Sequence, residues 1–265
     1  MTAPAPASNE SEHVIERTTP YGEIDWTTRV ASARGVGIPS PQSANALQAK
    51  EGAREAAWVV AQGRLLEIIK GVHINSTSTV DQLVATNVEM RKTVDGFIRG
   101  AQVVKEVVHD DGSVETTVEL KLGRAFTDPL SPTVGSYRHP SPPPDNKITH
   151  FTGLVVDATG LDVHTALEPR ILDEKGREVY SVTYVDRNAP SAKEGIVLYA
   201  SDVRSAKLHQ RVTQNPLLVR ALRADGQKKT DIIIKTPDAA TILGVRKHFE
   251  FLRQAKVVVI VDSNR

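Results

Sequence analysis

The chain has 265 residues, 40% hydrophobic, 25% charged and 5% aromatic, with a formal net charge of +1 and no cysteine. This length suffices for one large domain or two small ones, and the scarcity of aromatics implies a core of Val, Ile, Leu and Ala. The balanced charge gives no footprint for nucleic acid. The missing thiols exclude disulfides, thiolate metal sites, cysteine nucleophiles and cysteine lipidation, and no apolar run approaches the roughly 20 residues that span a bilayer.

Residues 1–24 read as a flexible lead-in. The stretch up to Arg17 is rich in Ala, Pro, Ser and Glu and has no apolar signal core, so the sequence reads either as cytoplasmic or as lacking its signal peptide. Residues 26–36 (WTTRVASARGV) carry weak strand character that Gly35 and Gly37 are expected to break. Residues 43–70 form the clearest helix. Ala53, Ala57, Trp58, Val60, Ala61, Leu65, Ile68 and Ile69 share one arc at helical spacing, Arg54 and Arg64 are expected to snorkel at its edge, and Gly71 stands where a left-handed stop would fall.

Residues 72–80 (VHINSTSTV) are β-branched and read as a short extended segment, 80–91 as a weaker helix, and 96–108 as extended. Asp111-Gly112 supplies a hairpin turn before the alternating 114–122 (VETTVELKL). Segments 72–80 and 114–122 are the expected sheet edges. Residues 123–147 hold six prolines, including the PSPPP run, and read as an exposed linker.

The second half opens with a strand at 151–156. Hairpins follow around Asp173-Glu174-Lys175-Gly176 and Asp225-Gly226. Thr236-Pro237-Asp238 is a helix start, and the helix is expected to run to about Arg253. Residues 256–262 (KVVVIVD) form a continuous apolar strand, the pattern of burial on both faces, so strand, helix and strand here predict a right-handed crossover between parallel strands. The fold class is therefore α+β/α/β: two small modules, each a helix packed on a mixed or antiparallel sheet, joined by a Pro-rich linker. The modules are 25–122 and 148–265.

Two stretches carry a family resemblance. The first is AREAAWVVAQGRLLEIIKGVHINSTSTV (53–80), followed by VDGFIRGAQVV (94–104) and the hairpin to VELKL (118–122). It resembles the N-terminal α/β domain of the LPP-type lipoproteins and of the flagellar proteins FlgP and FlgT. The second, TGLVVDATGL (152–161) with PRILDEKGREVY (169–180), looks like a companion domain of envelope proteins with the same front half. The resemblance implies a periplasmic or outer-membrane-associated bacterial protein, often one that forms rings or larger assemblies. It carries over no catalytic residues. The lipobox cysteine of the lipoprotein members is missing, which argues against direct lipid anchoring.

Several residue groups bear on chemistry. Eight histidines are scattered with no H-x-x-x-H pair. His150, Asp157, Asp162 and His164 would suit a metal if they converged, although polar strand ends are the simpler reading. There is no G-x-S-x-G elbow for a hydrolase. The segment 226–230 (GQKKT) lacks the upstream glycine of a phosphate loop and reads as a solvated turn whose lysines could meet an anionic glycan or headgroup. Asn75-Ser76-Thr77 matches a glycosylation acceptor but reads as strand. Asp157, Asp173 and Asp186 lack calcium-loop spacing and read as turn formers. The sequence thus assigns no catalytic, cofactor or metal residues. It favours a non-enzymatic cell-envelope structural or assembly protein that self-associates or binds partner envelope proteins, with a monomeric glycan- or peptidoglycan-binding module as the alternative.

Overall fold

The computed structural model describes residues 13–131 and 151–263. Two sheets organise them. The front sheet has five antiparallel strands in the order β1-β2-β3-β5-β4: β1 (Ile15–Thr19), β2 (Gly22–Asp25), β3 (Val30–Gly37), β4 (Gln102–Val108) and β5 (Val114–Lys121). The helix α1 (Ala46–Gly71) lies across it. Asn45 caps α1 by accepting from the Gln48 N–H at 2.8 Å, and Ala53, Ala57, Ala61, Leu65, Ile68 and Ile69 form the buried stripe. Val60, placed on that stripe by periodicity, is instead exposed, as is Val59. Arg54 pairs with Glu51 and Glu106, and Arg64 lies over the Tyr21 ring at 3.7 Å. Gly71 ends α1 without a positive φ.

The glycines expected to break the second segment sit inside β3, because they let the helix backbone come close. A Cβ on Gly35 would fall 2.1 Å from the Ala57 carbonyl oxygen, and one on Gly37 only 1.9 Å from that of Ala53. Gly37→Ala should therefore cost about 1–3 kcal/mol by forcing strand and helix apart. Gly52→Ala on α1, where an added Cβ meets nothing within 4 Å, should stabilise by up to about 1 kcal/mol through helix propensity. Urea unfolding of the two variants checks the opposite signs.

Other expectations for the front half need correction. Within the lead-in, residues from Ile15 onward form the β1–β2 hairpin; residues 1–12 lie outside the described set. Residues 72–80 make one isolated bridge, His73 to Thr79, and no sheet edge. β5 is central, between β3 and β4, so β1 and β4 are the edges. Helix runs further than expected: α2 (Val80–Thr86) and α3 (Val88–Arg99) meet at Asn87, whose side chain accepts from the Glu89 and Met90 N–H groups. The Asp111-Gly112 turn is present, with Gly112 at φ 78°. The start of the expected linker folds as α4 (Arg124–Leu130), which buries Phe126 and Leu130; residues 132–147 lie outside the described set.

The rear sheet is mixed, in the order β8-β7-β11-β10-β6-β12-β9. Its strands are β6 (Leu154–Asp157), β7 (Ile171–Asp173), β8 (Glu178–Tyr180), β9 (Leu198–Ala200), β10 (Leu217–Asp225), β11 (Asp231–Ile234) and β12 (Val257–Ile260). The first half of β10 runs parallel to β6, and its second half pairs antiparallel with β11. Gly176 and Gly226 turn the two expected hairpins at φ 76° and 80°. β12 is buried on both faces. Val258 and Ile260 pack with Ala206 of α5 (Val203–Leu208), whereas Val257 and Val259 join the main core.

The expected crossover is wrong in one respect. β11 and β12 are neither neighbours nor parallel, since β11 opposes β10 while β12 follows β6. The helix expected to run to Arg253 is divided at Gly244 and Val245 into α6 (Thr236–Leu243) and α7 (Arg246–Arg253). Two helices return the chain differently from one. Lys235, not Thr236, holds the cap position, and its side chain makes no capping bond.

Candidate functional site

The two sheets meet along a seam that shares one apolar core, with Trp26 edge-on to Tyr199 at 5.7 Å. The loop between α1 and α2 crosses it: Leu167 and Glu168 N–H groups donate to the His73 and Ile74 carbonyls at 2.9 and 2.8 Å, and Lys228 N–H donates to Ser76 at 3.0 Å. Arg29 is the charged group at the centre. It is 1% exposed and donates to the carbonyls of Leu122, Leu167 and Val197 at 3.4, 3.4 and 3.2 Å. Burial lowers its pKa to about 10, and its backbone sits at φ 55°. A second buried guanidinium, Arg211, donates to the carbonyls of Ser191, Gly195 and Ala255. Burial pushes the Tyr199 hydroxyl up to about 12, where it both accepts from and donates to the Ala166 backbone.

Among the concave surfaces of the described residues, two clefts lie along this seam and an open groove lies on the front module. A polar cleft of about 240 Å³ is lined by Asn75, Ser76 and Thr77 from the front and Glu168, Arg170, Glu178, Ser181 and Thr183 from the rear. Ser181 and Thr183 hydroxyls donate to Glu178 at 2.7 and 2.9 Å, and Arg170 donates to Asp231 and Ser76. Burial pushes Glu168 up to about 7, against the pull of the Ser131 hydroxyl that donates to it at 3.0 Å. A carboxyl near neutrality can exchange a proton. The Ser181 hydroxyl, however, is tied to a carboxylate and to Thr183 rather than to the histidine or lysine base that activates a nucleophile.

A narrower apolar cleft of about 210 Å³ runs between β1, the segment 163–165 and Val261–Asp262. In it, Glu16 accepts from the Trp26 indole N–H at 2.6 Å and from the Thr165 hydroxyl at 2.9 Å, and His73 stacks on His164 at 5.6 Å. Burial lowers the His73 pKa. The third surface is an open groove between α1 and β4, lined by Gln48, Arg54, Trp58, Val103, Glu106 and Thr116. Leu47 and Val59 of α1 and Val103, Val104 and Val108 of β4 are exposed, and of these Val103 lines the groove.

The residues singled out by sequence are dispersed. Asp157 pairs with Arg220; burial raises its pKa, but Thr159 and Arg220 outweigh that and hold it below the ordinary value. Asp162 binds Lys229 and lies 3.4 Å from His164. His150 lies outside the described residues, among which no three His, Asp or Glu side chains gather to hold a metal. Lys229, read as a candidate for anions, is committed to Asp162, and its turn docks on Ser76. Asp173 and Asp186 accept from backbone N–H groups two residues on, as turn formers do. Asn75 likewise accepts from the Thr77 and Ser78 N–H groups, in a turn and not in a strand. His248, 0% exposed, is a core histidine bonded to Thr241 and Phe151. Sequence reasoning missed Arg29, Arg211 and Glu168, whose partners come from remote segments that no local spacing signals.

Among the described residues no helix is long and apolar enough to cross a membrane. No curated protein matches the chain. Residues 153–263, which hold the whole rear sheet, match a bacterial family model described as Treponema pallidum Tp0624, second domain.

Proposed function

We propose that this protein is a non-enzymatic assembly module of the bacterial cell envelope, periplasmic or outer-membrane-associated, that self-associates through the α1–β4 face. The observation that carries the reading is the open groove lined by Trp58 and Val103, between two elements that also expose Leu47, Val59, Val104 and Val108, because exposed apolar surface beside a groove marks association. The family model matched by the rear half supports a bacterial origin; the envelope setting, and a flagellar one within it, rest on the front half's resemblance to LPP-type lipoproteins, FlgP and FlgT. Contact here is through side chains and not by strand addition. The β4 edge carries a bulge between Val103 and Lys105 and an exposed lysine, two devices that hinder ladder pairing.

Light scattering at micromolar concentration should give a mass above that of one chain. Val59→Glu and Val103→Glu should each shift it toward the monomer without lowering stability, since both sites are exposed. The polar cleft favours a second reading, a glycan-binding module, because its paired carboxylates and hydroxyls match the polar groups of a sugar. A strict monomer that binds a peptidoglycan fragment would overturn self-association and establish that second reading.

A further inference from the structure

We propose that the polar cleft at the seam is a binding site for a compact ligand that carries a primary ammonium beside hydroxyl groups, an amino sugar in chemical class. The inference sharpens the glycan reading of this cleft, on which it rests, and is independent of self-association through the α1–β4 face.

Two carboxyls line the cleft, and each is anchored through one oxygen. Glu168 Oε2 accepts from the Ser131 hydroxyl at 3.0 Å, and Glu178 Oε1 accepts from the Ser181 and Thr183 hydroxyls at 2.7 and 2.9 Å. The other oxygens, Glu168 Oε1 and Glu178 Oε2, make no hydrogen bond among the described residues. Glu168 is only 5% exposed, and a polar atom withdrawn this far from bulk water normally has a partner. The hydroxyl anchors hold both carboxyls in one orientation before a ligand arrives, so the two open acceptors are preorganised.

Charge decides what donor they take. Arg170, the cation among the lining residues, is committed to Asp231 through both Nε and Nη2. Neither Glu168 nor Glu178 forms an ion pair among the described residues. Burial, with Asp128, raises Glu168 to about 7 against the Ser131 hydroxyl, Arg187 and Arg29. A close cation is what this carboxyl lacks. No three His, Asp or Glu side chains gather among the described residues to hold a metal, whereas an ammonium brings its own three N–H donors. The front wall has the opposite polarity. Asn75 Oδ1 accepts from the Thr77 and Ser78 N–H groups, which leaves its amide N–H groups unused, and the Ser76 oxygen accepts from Arg170, which leaves its proton to donate. Acceptors on the rear wall and donors on the front wall suit a ligand whose ammonium meets the carboxyls and whose hydroxyl oxygens meet residues 75–76. The volume of about 240 Å³ lies just below the roughly 300–1,000 Å³ of small-molecule sites, as a single sugar ring requires.

The test is isothermal titration of the full chain at neutral pH with glucosamine, glucose, N-acetylglucosamine and n-butylamine. Glucosamine should bind saturably. Glucose, the same ring with a hydroxyl in place of the ammonium, should bind about tenfold more weakly, the scale of one charged hydrogen bond. N-Acetylglucosamine, which has lost the charge, and n-butylamine, which has no hydroxyls, should both fall behind glucosamine as well. Glu168→Gln and Glu178→Gln should each weaken glucosamine about tenfold and leave glucose unchanged. Glu89→Gln, on α3 with its side chain 75% exposed, removes the same charge far from the cleft and should bind as the parent does. If circular dichroism shows Glu178→Gln unfolded, Glu168→Gln decides alone.

Equal binding of glucosamine and glucose overturns the proposal, as does undiminished glucosamine binding by folded Glu168→Gln. Binding of n-butylamine as tight as that of glucosamine overturns the sugar and leaves a bare ammonium site. Binding of N-acetylglucosamine or a peptidoglycan fragment without glucosamine overturns the ammonium while the glycan reading stands, and binding of none of them overturns both.

Discussion

Arg29→Met is expected to lower the unfolding free energy by about 3 kcal/mol and to separate the melting of the two sheets. Loss of the guanidinium leaves the carbonyls of Leu122, Leu167 and Val197 without a donor. Each orphaned buried acceptor costs about 1–3 kcal/mol, partly offset by relief from burying a charge. Those carbonyls belong to the end of the front sheet, the loop before β7 and the residue before β9, so the side chain ties three remote segments at one point of the seam. Gly195→Ala should give a related defect from the opposite side, because the new Cβ would lie 2.4 Å from Arg29 Cζ at a residue with φ 111°. Trp26 packs at the seam, its ring 6.0 Å from the Arg29 guanidinium. Tryptophan fluorescence in urea should therefore report the seam opening at a lower midpoint than far-UV circular dichroism in the variant, and at the same midpoint in the parent. A loss below about 1 kcal/mol with coincident midpoints would show that apolar packing alone holds the halves together.

Local chemistry made much of the fold legible. The Ala-rich stripe of α1, the Asp-Gly turn before β5, the hairpins at Gly176 and Gly226 and the two-sided burial of β12 all follow from spacing and turn residues within short windows. The failures have physical causes too. Gly35 and Gly37 read as breakers because a glycine's local effect is to weaken a strand. Their actual role, leaving room for α1 where a Cβ would fall 1.9–2.1 Å from its carbonyl oxygens, depends on an element that follows in the chain. The β1–β2 hairpin is short and mostly half-exposed or exposed, so it lacks the alternation that marks a strand. α4 was hidden among prolines, since burial of Phe126 and Leu130 is supplied by the seam and not by the segment's own pattern.

The candidate surfaces were less legible than the fold. The polar cleft combines residues 75–77 with 168–183, and the apolar cleft combines 14–18 with 163–165 and 261–262. Neither set has a characteristic spacing. The α1–β4 face depends on knowing that Val59 points outward although Ala57 and Ala61 point inward, which the helical arc alone resolved wrongly for Val60.

Glu168→Gln should stabilise the protein at pH 8.5 by about 2 kcal/mol and leave it nearly unchanged at pH 5. The carboxyl is 5% exposed, and burial raises it from an ordinary 4.5 to about 7. Asp128 adds to the rise, while the Ser131 hydroxyl, Arg187 and Arg29 oppose it without reversing it. The sign follows from which form the fold prefers. The protonated carboxyl is favoured in the folded state, so its contribution is fully present below about 4.5 and is lost as pH rises through 7. A shift of this size corresponds to about 3 kcal/mol, reduced here to about 2 because the cleft admits water beside the group. Glutamine keeps an oxygen to accept from Ser131 and carries no charge to desolvate. The parent should thus lose stability between pH 5 and 8.5, while the variant's curve stays flatter over the same range. Parallel curves for the two proteins would mean that Glu168 is ionised in the fold at pH 5. The consequence is local: Glu168 N–H donates to Ile74 across the seam, so ionisation at alkaline pH loads the same junction that Arg29 holds, and the two variants together should show non-additive effects on its opening.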